Sequence, residues 1–205
     1  MNFPSETIAN AVEQLSRFPG IGKKTALRMT LFLLKKNPED VERMTAAMND
    51  LKTKVVYCSV CGNVSDMDVC KICTSPKRNK QLVCVVRDFQ DIMAIENTSQ
   101  YNGVYHVLGG VISPMQGIGP DDLKISPLIK RIEQEEITEV LLALSANMEG
   151  DTTAFYISRK LEDKGVKISA IARGIAVGGE LEYADEITLG RSILNRIPYR
   201  TEGGS

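Results

Sequence analysis

The chain has 205 residues, enough for one medium domain or for two to three small ones. Hydrophobic residues make up 43% of it, so an apolar core can form, and the net charge of -1 excludes a globally basic DNA-binding protein. The charge is unevenly distributed: residues 1–87 hold 14 lysines and arginines against eight acidic residues, whereas residues 88–205 hold 11 against 18. We expect the first part to contact phosphate and the second to meet protein or metal.

The sequence also bears on the compartment. No apolar run reaches the roughly 20 residues that a membrane helix needs, and residues 1–6 lack the basic start of a secretory signal. Five cysteines, an odd number, fit metal-bound thiolates in a reducing compartment better than a disulfide framework. We therefore expect a cytoplasmic protein with no membrane partner.

Apolar residues recur at helical spacing in three stretches between residues 5 and 54. The first stretch ends before the segment 18–22, which reads FPGIG, the second spans about 23–36, and the third follows Asn37-Pro38. The glycines permit a sharp turn and leave backbone N–H groups open at the start of the second helix, where a phosphate binds well.

The basic residues near this turn suggest its function. Residues 17–36 contain six lysines and arginines and no acidic residue, and Lys24 and Arg28 share a helix face because they are four apart. An ordinary helical turn with solvated lysines is the alternative. The acid-free basic stretch favours a helix-hairpin-helix, which binds the DNA backbone without reading sequence.

Four cysteines follow the spacing C-x2-C-x8-C-x2-C, namely Cys58, Cys61, Cys70 and Cys73. Each pair places two thiolates on a tight turn, and two such turns can close a tetrahedron around zinc. Gly62 follows the second cysteine, where the turn needs backbone freedom. Because protein fills all four positions, we predict one structural zinc ion per chain, in preference to four buried or redox-active cysteines. Cys84 lies in an apolar strand and is assigned to the core.

From residue 82 onward the pattern changes. Short apolar or β-branched runs lie at 82–86, 104–108, 139–144 and 167–172, and helical stretches near 88–97, 126–136 and 151–164 separate them. This alternation predicts a mostly parallel sheet covered on both faces. His106, the single histidine, lies in the second run and is assigned to the core as a hydrogen-bonded residue.

Two acidic residues, Glu149 and Asp151, follow the third predicted strand at its carboxyl end. Ligands bind at that edge of open α/β sheets, and two nearby carboxylates could hold Mg²⁺. Alternatively, Asp151 could cap the helix that follows. The spacing alone does not decide between these interpretations.

In this order the motifs resemble the RecR family of bacterial recombination mediators, over about residues 5–197. Besides the hairpin and the four cysteines, the resemblance is carried by Tyr105–Leu108, Ile112–Pro114, Gly117–Pro120 and Gly178–Asp185. It implies an α+β protein of four parts: a helix-hairpin-helix DNA-binding region at 1–54, a zinc finger at 55–76, an α/β Toprim domain at 80–175, and a Walker-B-like assembly segment at 176–200.

The resemblance also implies a function without catalytic activity. Members of the family form rings, usually tetramers, and act with RecO and RecF on gapped DNA. There they help to replace single-strand-binding protein with RecA, which places them at the nucleoid. Two residues depart from the expected pattern: Arg87, followed by Asp88, stands where Toprim enzymes have a glutamate, and Ala176 stands where the family often has proline.

Two hypotheses follow from the site residues. In a non-enzymatic mediator, the DNA phosphates are contacted by Lys23, Lys24 and Arg28, and a partner-facing acidic edge carries Glu149 and Asp151. In a Mg²⁺-dependent Toprim-type nuclease, the metal is held by Asp88, Glu149 and Asp151. Arg87 disfavours the nuclease, because a cation at that position competes with the metal.

Overall fold

A computed structural model describes residues 3–175 and 177–198. Ala176 and residues 199–205 lie outside the described residues, so the predicted assembly segment 176–200 is described over 177–198 only. The described chain contains eight α-helices and six strands in two compact units, one ending at Val55 and the other beginning at Val56. Within the described ranges, no helix combines the length and the apolar character that crossing a bilayer requires.

The first unit is helical, as predicted. It contains α1 (Glu6–Leu15), α2 (Lys23–Leu34) and α3 (Pro38–Thr53). Between α1 and α2 the N–H of Ile21 donates to the carbonyl of Phe18 at 3.0 Å, and Gly20 adopts a φ of +76°, a left-handed conformation that favours glycine.

Little of this helical unit is buried. Among its described residues only Val12, Ala26 and Thr30 are buried, and α3 buries none. Its exposed apolar side chains include Phe18, Met29, Leu31, Phe32, Leu34, Met44, Met48 and Leu51. The unit therefore presents a large apolar surface beside its basic one.

The second unit begins with a knuckle made of β1 (Val56–Tyr57), β2 (Val64–Ser65) and the short α4 (Lys71–Thr74). The two strands pair in antiparallel fashion, with Val56 opposite Ser65 and Tyr57 opposite Val64. The buried cluster of this segment consists of its four cysteines, with Val69 and Ile72 packed against them. As the composition indicates, the segment has almost no apolar core of its own.

A four-stranded sheet follows, and we call residues 79–170 the sheet domain. Its strands are β3 (Asn79–Val86), β4 (Gly103–Val107), β5 (Glu139–Ala143) and β6 (Lys167–Ala170), in the spatial order β4-β3-β5-β6. All three pairings are parallel, which confirms the predicted parallel sheet. The connecting helices are α5 (Phe89–Asn97), α6 (Ile125–Gln134) and α7 (Met148–Leu161), and α8 (Glu186–Leu194) comes last.

Side chains of β3 alternate between two cores, because successive residues of a strand point to opposite faces. Val83 and Val85 belong to a core that includes residues of α6 and α7, whereas Cys84 and Val86 belong to a core that includes Ile92 of α5. The sheet is thus covered on both faces, as predicted. Cys84 is fully buried, which confirms its assignment to the core, and burial raises the pKa of its thiol to about 12.

His106 is buried in β4, as expected of a hydrogen-bonded core residue. Its Nε2 lies 2.7 Å from the carbonyl oxygen of Lys124, so Nε2 carries the proton that it donates. Its Nδ1 has no hydrogen-bond partner among the described residues. Burial lowers the pKa of His106 to about 4, so the imidazole is neutral at physiological pH.

Candidate metal centre and nucleic-acid interface

The four cysteines converge on one point. Their sulfur atoms all lie within 4.8 Å of one another, and the Sγ atoms of Cys61 and Cys70 are 3.7 Å apart. All four residues are buried, with between 1% and 7% of their surface exposed. Within residues 3–175 and 177–198, this is the one group of three or more His, Cys, Asp or Glu side chains whose donor atoms come close enough to share an ion.

The backbone around the cysteines explains this convergence. The N–H of Gly62 donates to the carbonyl of Cys58 at 2.9 Å, and Gly62 has a φ of +75° that a side chain would disfavour. The N–H of Cys70 donates to the Cys58 sulfur at 3.3 Å and so ties the second cysteine pair to the first. The predicted turn and its glycine are therefore present.

A zinc ion fits this cluster. Tetrahedral zinc binds thiolates at about 2.3 Å, which places neighbouring sulfur atoms about 3.8 Å apart, close to the separation seen here. The donor set of four thiolates suits zinc and leaves no position for a reactive water. The ion that it holds is structural.

The acidities of these thiols differ. Burial opposes ionisation of Cys58, but N–H groups of Cys70, Cys61 and Val60 bond to its sulfur and lower its pKa to about 7. A hydrogen bond with Cys73, reinforced by burial, raises the pKa of Cys61, and burial likewise raises the pKa of Cys70. Closely packed thiols resist ionisation together, so a bound cation is needed to stabilise the deprotonated set.

The knuckle is attached to the sheet domain. The N–H of Val107 in β4 donates to the carbonyl of Cys61 at 2.8 Å, and Lys80 Nζ donates to the carbonyl of Cys73 at 2.6 Å. Ile72 packs against both cores of the sheet domain. These contacts make the knuckle part of the sheet-containing unit.

Basic and apolar side chains alternate along one face of α2. They line a shallow groove of about 440 Å³, formed by Lys24, Leu27, Arg28, Leu31, Phe32 and Lys35. The predicted phosphate contacts Lys24 and Arg28 therefore share a face, as their spacing indicates. Lys23, the first residue of α2, is exposed but does not line this groove.

The start of α2 offers backbone donors as well. Its N-cap is Gly22, which has no side chain to accept a hydrogen bond from the first turn. Unsatisfied N–H groups at a helix N-terminus favour an anion, and the adjacent Lys23 and Lys24 add positive charge. This end of α2 can therefore hold phosphate oxygens.

The three carboxylates proposed to bind Mg²⁺ each contact different partners. Asp88 pairs with Arg87 at 3.0 Å and accepts the N–H of Gln90 at 2.8 Å, which makes it the N-cap of α5. Glu149 accepts a hydrogen bond from the hydroxyl of Ser113. Asp151 forms a bidentate pair with Arg173, and this hydrogen bonding lowers the pKa of the Asp151 carboxyl.

The alternative interpretation of Asp151 as a helix cap is wrong. The N-cap of α7 is Asn147, whose side chain accepts the N–H of Gly150 at 2.8 Å. Asp151 lies four residues further on, inside the helix. The predicted start near residue 151 was late, because the amide of Asn147 caps as effectively as a carboxylate.

Sequence reasoning missed the partners of the acidic edge. Ser113, Arg173 and Arg191 come from segments far along the chain, and the fold alone brings them to Glu149 and Asp151. Their signal in the sequence is weak, since an isolated serine or arginine has no periodicity.

Comparison with known proteins accounts for nearly all of these parts. Profiles described as RecR helix-hairpin-helix, RecR four-cysteine zinc finger domain, Toprim domain and RecR C-terminal match residues 8–52, 55–75, 81–172 and 174–197, respectively. Proteins named Recombination protein RecR match almost end to end. The Porphyromonas gingivalis protein is 56% identical over 197 residues, which is 96% of this chain and 95% of its own.

The chain belongs to the RecR family. Two further relatives have the same name. The Amoebophilus asiaticus protein is 54% identical, and the match covers 97% of this chain and 100% of that protein. The Cytophaga hutchinsonii protein is 56% identical, and the match covers 98% of this chain and 99% of that protein. The resemblance inferred from the motifs is thereby confirmed, as are the α+β fold class and the zinc site. The match of the zinc finger profile spans all four cysteines.

Proposed function

We propose that this RecR-family chain is a DNA-binding mediator of recombinational repair that has no catalytic activity of its own. In this role it acts with RecO and RecF and helps to load RecA on DNA that is gapped or coated with single-strand-binding protein. The observation that supports this best is the combination of a basic helix-hairpin-helix, a zinc site and a sheet domain in one chain, shared over almost the whole length with proteins named Recombination protein RecR.

The DNA contacts are assigned to the start and one face of α2. Lys23 and Lys24 flank the open N–H groups of the first turn, and Arg28 continues the basic face. No acidic residue occurs between residues 17 and 36 to repel phosphate. Backbone contacts of this kind carry no sequence preference, so binding is sequence-independent.

A Mg²⁺-dependent Toprim nuclease is the rival function. It would need Asp88, Glu149 and Asp151 to share a metal, but each is engaged with a different partner. Asp88 is also paired with Arg87, whose positive charge opposes a cation. These contacts favour the mediator.

The acidic edge is assigned to a basic partner, for which RecO is our candidate. Glu149 accepts the hydrogen bond from the Ser113 hydroxyl with Oε1, and no described residue donates to its Oε2. Asp151 is less available, because Arg173 and Arg191 already surround its carboxylate. We therefore assign Glu149 the larger part of this contact.

Assembly into a ring, a tetramer in our proposal, would link several hairpins. One hairpin makes only a few phosphate contacts, which bind weakly at physiological salt, and linking several raises their effective concentration on one DNA. The C-terminal segment has exposed apolar side chains that suit an assembly role, among them Leu181, Ile187, Leu194 and Ile197. We place the ring at the nucleoid in the cytoplasm.

A strand-loading assay tests the mediator directly. RecA assembly on gapped DNA coated with single-strand-binding protein is measured with RecO, with and without this chain, while sedimentation reports particle mass. We expect faster RecA loading and a closed oligomer. No acceleration, together with a strict monomer at every concentration and with DNA, would overturn the proposal.

A further inference from the structure

Two methionines stand almost fully exposed at the edge of the sheet that carries Glu149. Met115 is 99% exposed and Met148 is 85% exposed. Met115 lies in the short 3-10 helix Pro114–Gln116 after β4, and Met148 is the first residue of α7, after β5. Both strands run parallel, so their carboxyl ends and these methionines lie at the same edge.

Two hydrogen bonds join the two segments. The hydroxyl of Ser113, which is buried, donates to Glu149 Oε1, and the N–H of Ile112 donates to the hydroxyl of the fully buried Thr153 at 2.9 Å. Each methionine is within two residues of the Ser113–Glu149 bond, so chain geometry keeps their Cα atoms within about 20 Å of each other. The loop and the helix start therefore form one fixed surface that a single partner segment can span.

The chemistry of this surface selects its partner. Methionine is flexible and polarisable and is common in interfaces, where apolar anchors sit beside charged groups. Glu149 supplies a negative charge, which favours a cationic protein segment over DNA at this position. The basic helix of a second copy is less suitable, because its cations are assigned to phosphate.

We propose that Met115 and Met148 are apolar anchors for a partner protein whose binding segment places a lysine or arginine beside an aliphatic or aromatic side chain. The cation pairs with Glu149, and the apolar side chain packs against the exposed methionine side chains. This inference rests on the proposed function, because it deepens the assignment of the acidic edge to a basic partner.

Calorimetric titration with purified RecO as the probe tests the proposal. The variants are Met115→Ser with Met148→Ser, Glu149→Gln, and Met93→Ser as the matched control, since Met93 is 59% exposed but lies on α5. We expect the double methionine variant to bind about tenfold more weakly with the salt dependence unchanged. We expect Glu149→Gln to weaken binding and flatten the salt dependence, and Met93→Ser to bind like wild type.

The outcomes separate this inference from the proposed function. If the double methionine variant binds RecO with wild-type affinity while Glu149→Gln binds more weakly, the methionines are not anchors. The proposed contact of Glu149 with a basic partner would then still hold. No binding of RecO by the wild-type chain would overturn the partner assignment and the anchors with it. A changed particle mass with unchanged RecO affinity would show a contact between copies and would also overturn the anchors. Recovery of affinity by Met115→Leu with Met148→Leu would support them.

Discussion

The backbone N–H of Val107 donates a 2.8 Å hydrogen bond to the carbonyl oxygen of Cys61. This bond joins the second zinc ligand to β4, whose five residues are all buried. Because the knuckle has almost no apolar core of its own, zinc is what fixes Cys61 in place. Loss of the ion will therefore disturb the sheet domain as well as the knuckle.

The first prediction concerns removal of a zinc ligand. Cys58→Ser or Cys73→Ser should abolish the single bound zinc and lower the free energy of unfolding by roughly 3 kcal/mol or more, because structural zinc contributes directly to folding. Elemental analysis of reduced protein and urea denaturation measure the two effects. Cys84→Ser is the control: it should keep one zinc per chain and lose less stability. Freshly purified wild-type protein without zinc would disprove the zinc assignment.

The second prediction concerns the proposed DNA-binding face of α2. Replacing Lys23, Lys24 and Arg28 with alanine should weaken binding to all sequences similarly. It should also reduce the slope of log affinity against log salt by roughly one unit per lost phosphate contact. Fluorescence anisotropy with labelled oligonucleotides between low and physiological salt measures both.

A matched triple variant distinguishes the loss of phosphate contacts on α2 from the loss of overall positive charge. Arg43, Lys52 and Lys54, in or next to α3, can be changed to alanine with the same loss of three positive charges. That variant should bind almost like wild type. Equal weakening in both triples would show that binding responds to overall charge and that α2 holds no specific DNA site.

Much of the fold could be predicted because its patterns are periodic and local. The alternation in β3 places Val83 and Cys84 on opposite faces, and both faces prove to be covered by helices. The cysteine spacing likewise fixes a tetrahedral site, since each pair sits on one turn. The attachment of the knuckle to the sheet domain could not be predicted, because a backbone bond such as that of Val107 leaves no mark on residue type.

The third prediction separates mediator from nuclease. We expect no cleavage of single-stranded, duplex or gapped DNA in the presence of Mg²⁺ or Mn²⁺, because Asp88, Glu149 and Asp151 are held by different partners. Gel analysis of end-labelled DNA after long incubation measures this. Metal-dependent cleavage that disappears in Glu149→Gln would establish the nuclease; cleavage that persists in that variant indicates a contaminant.

The fourth prediction concerns an ion pair that joins α5 to the sheet. Arg78 donates to Glu96 Oε1 at 2.9 Å, and the hydroxyl of Tyr105 donates to the same oxygen at 2.6 Å. Hydrogen bonding to Arg78, and to a lesser degree to Tyr105, lowers the pKa of Glu96 although burial opposes this. Glu96→Gln should lower the free energy of unfolding by about 1–3 kcal/mol at pH 7, because hydrogen bonds to a charged group are lost.

The pH dependence of this effect has a definite sign. With its pKa lowered in the folded state, Glu96 contributes stability that is fully present above its unfolded pKa of about 4.3 and is lost as pH falls through the folded value. The difference in the free energy of unfolding between wild type and Glu96→Gln, measured by urea denaturation, should therefore become smaller below about pH 4. Glu162→Gln is the control, since its pair with Arg159 is exposed and should contribute under about 1 kcal/mol. A difference that is constant with pH would contradict the assignment.

In the candidate sites, as in the fold, local relations between residues could be predicted, whereas contacts between distant segments could not. Lys24 and Arg28 share a groove as their spacing predicts, because one helix sets their relation. Asp151 does not cap its helix, and its pairing with Arg173 depends on how α7 and the segment after β6 meet. Contacts between segments distant in the chain require the fold, and local sequence patterns do not report them.

The last prediction concerns this pairing of Asp151 with Arg173. The carboxylate accepts hydrogen bonds from both terminal nitrogens of Arg173, and Arg191 of α8 approaches it to 3.8 Å. Such a partly exposed pair contributes little to global stability, but its bidentate geometry fixes where the segment after β6 runs.

Asp151→Arg alone should repel both arginines and make residues 174–198 several times more sensitive to thermolysin, a protease that does not depend on arginine. The double swap of Asp151→Arg with Arg173→Asp should restore most of the resistance, because the pair re-forms with its charges exchanged. Glu149→Lys should leave the cleavage pattern unchanged, which separates the proposed partner-binding role of Glu149 from this attachment. If the double swap is cleaved as fast as Asp151→Arg, the pair does not hold the C-terminal segment.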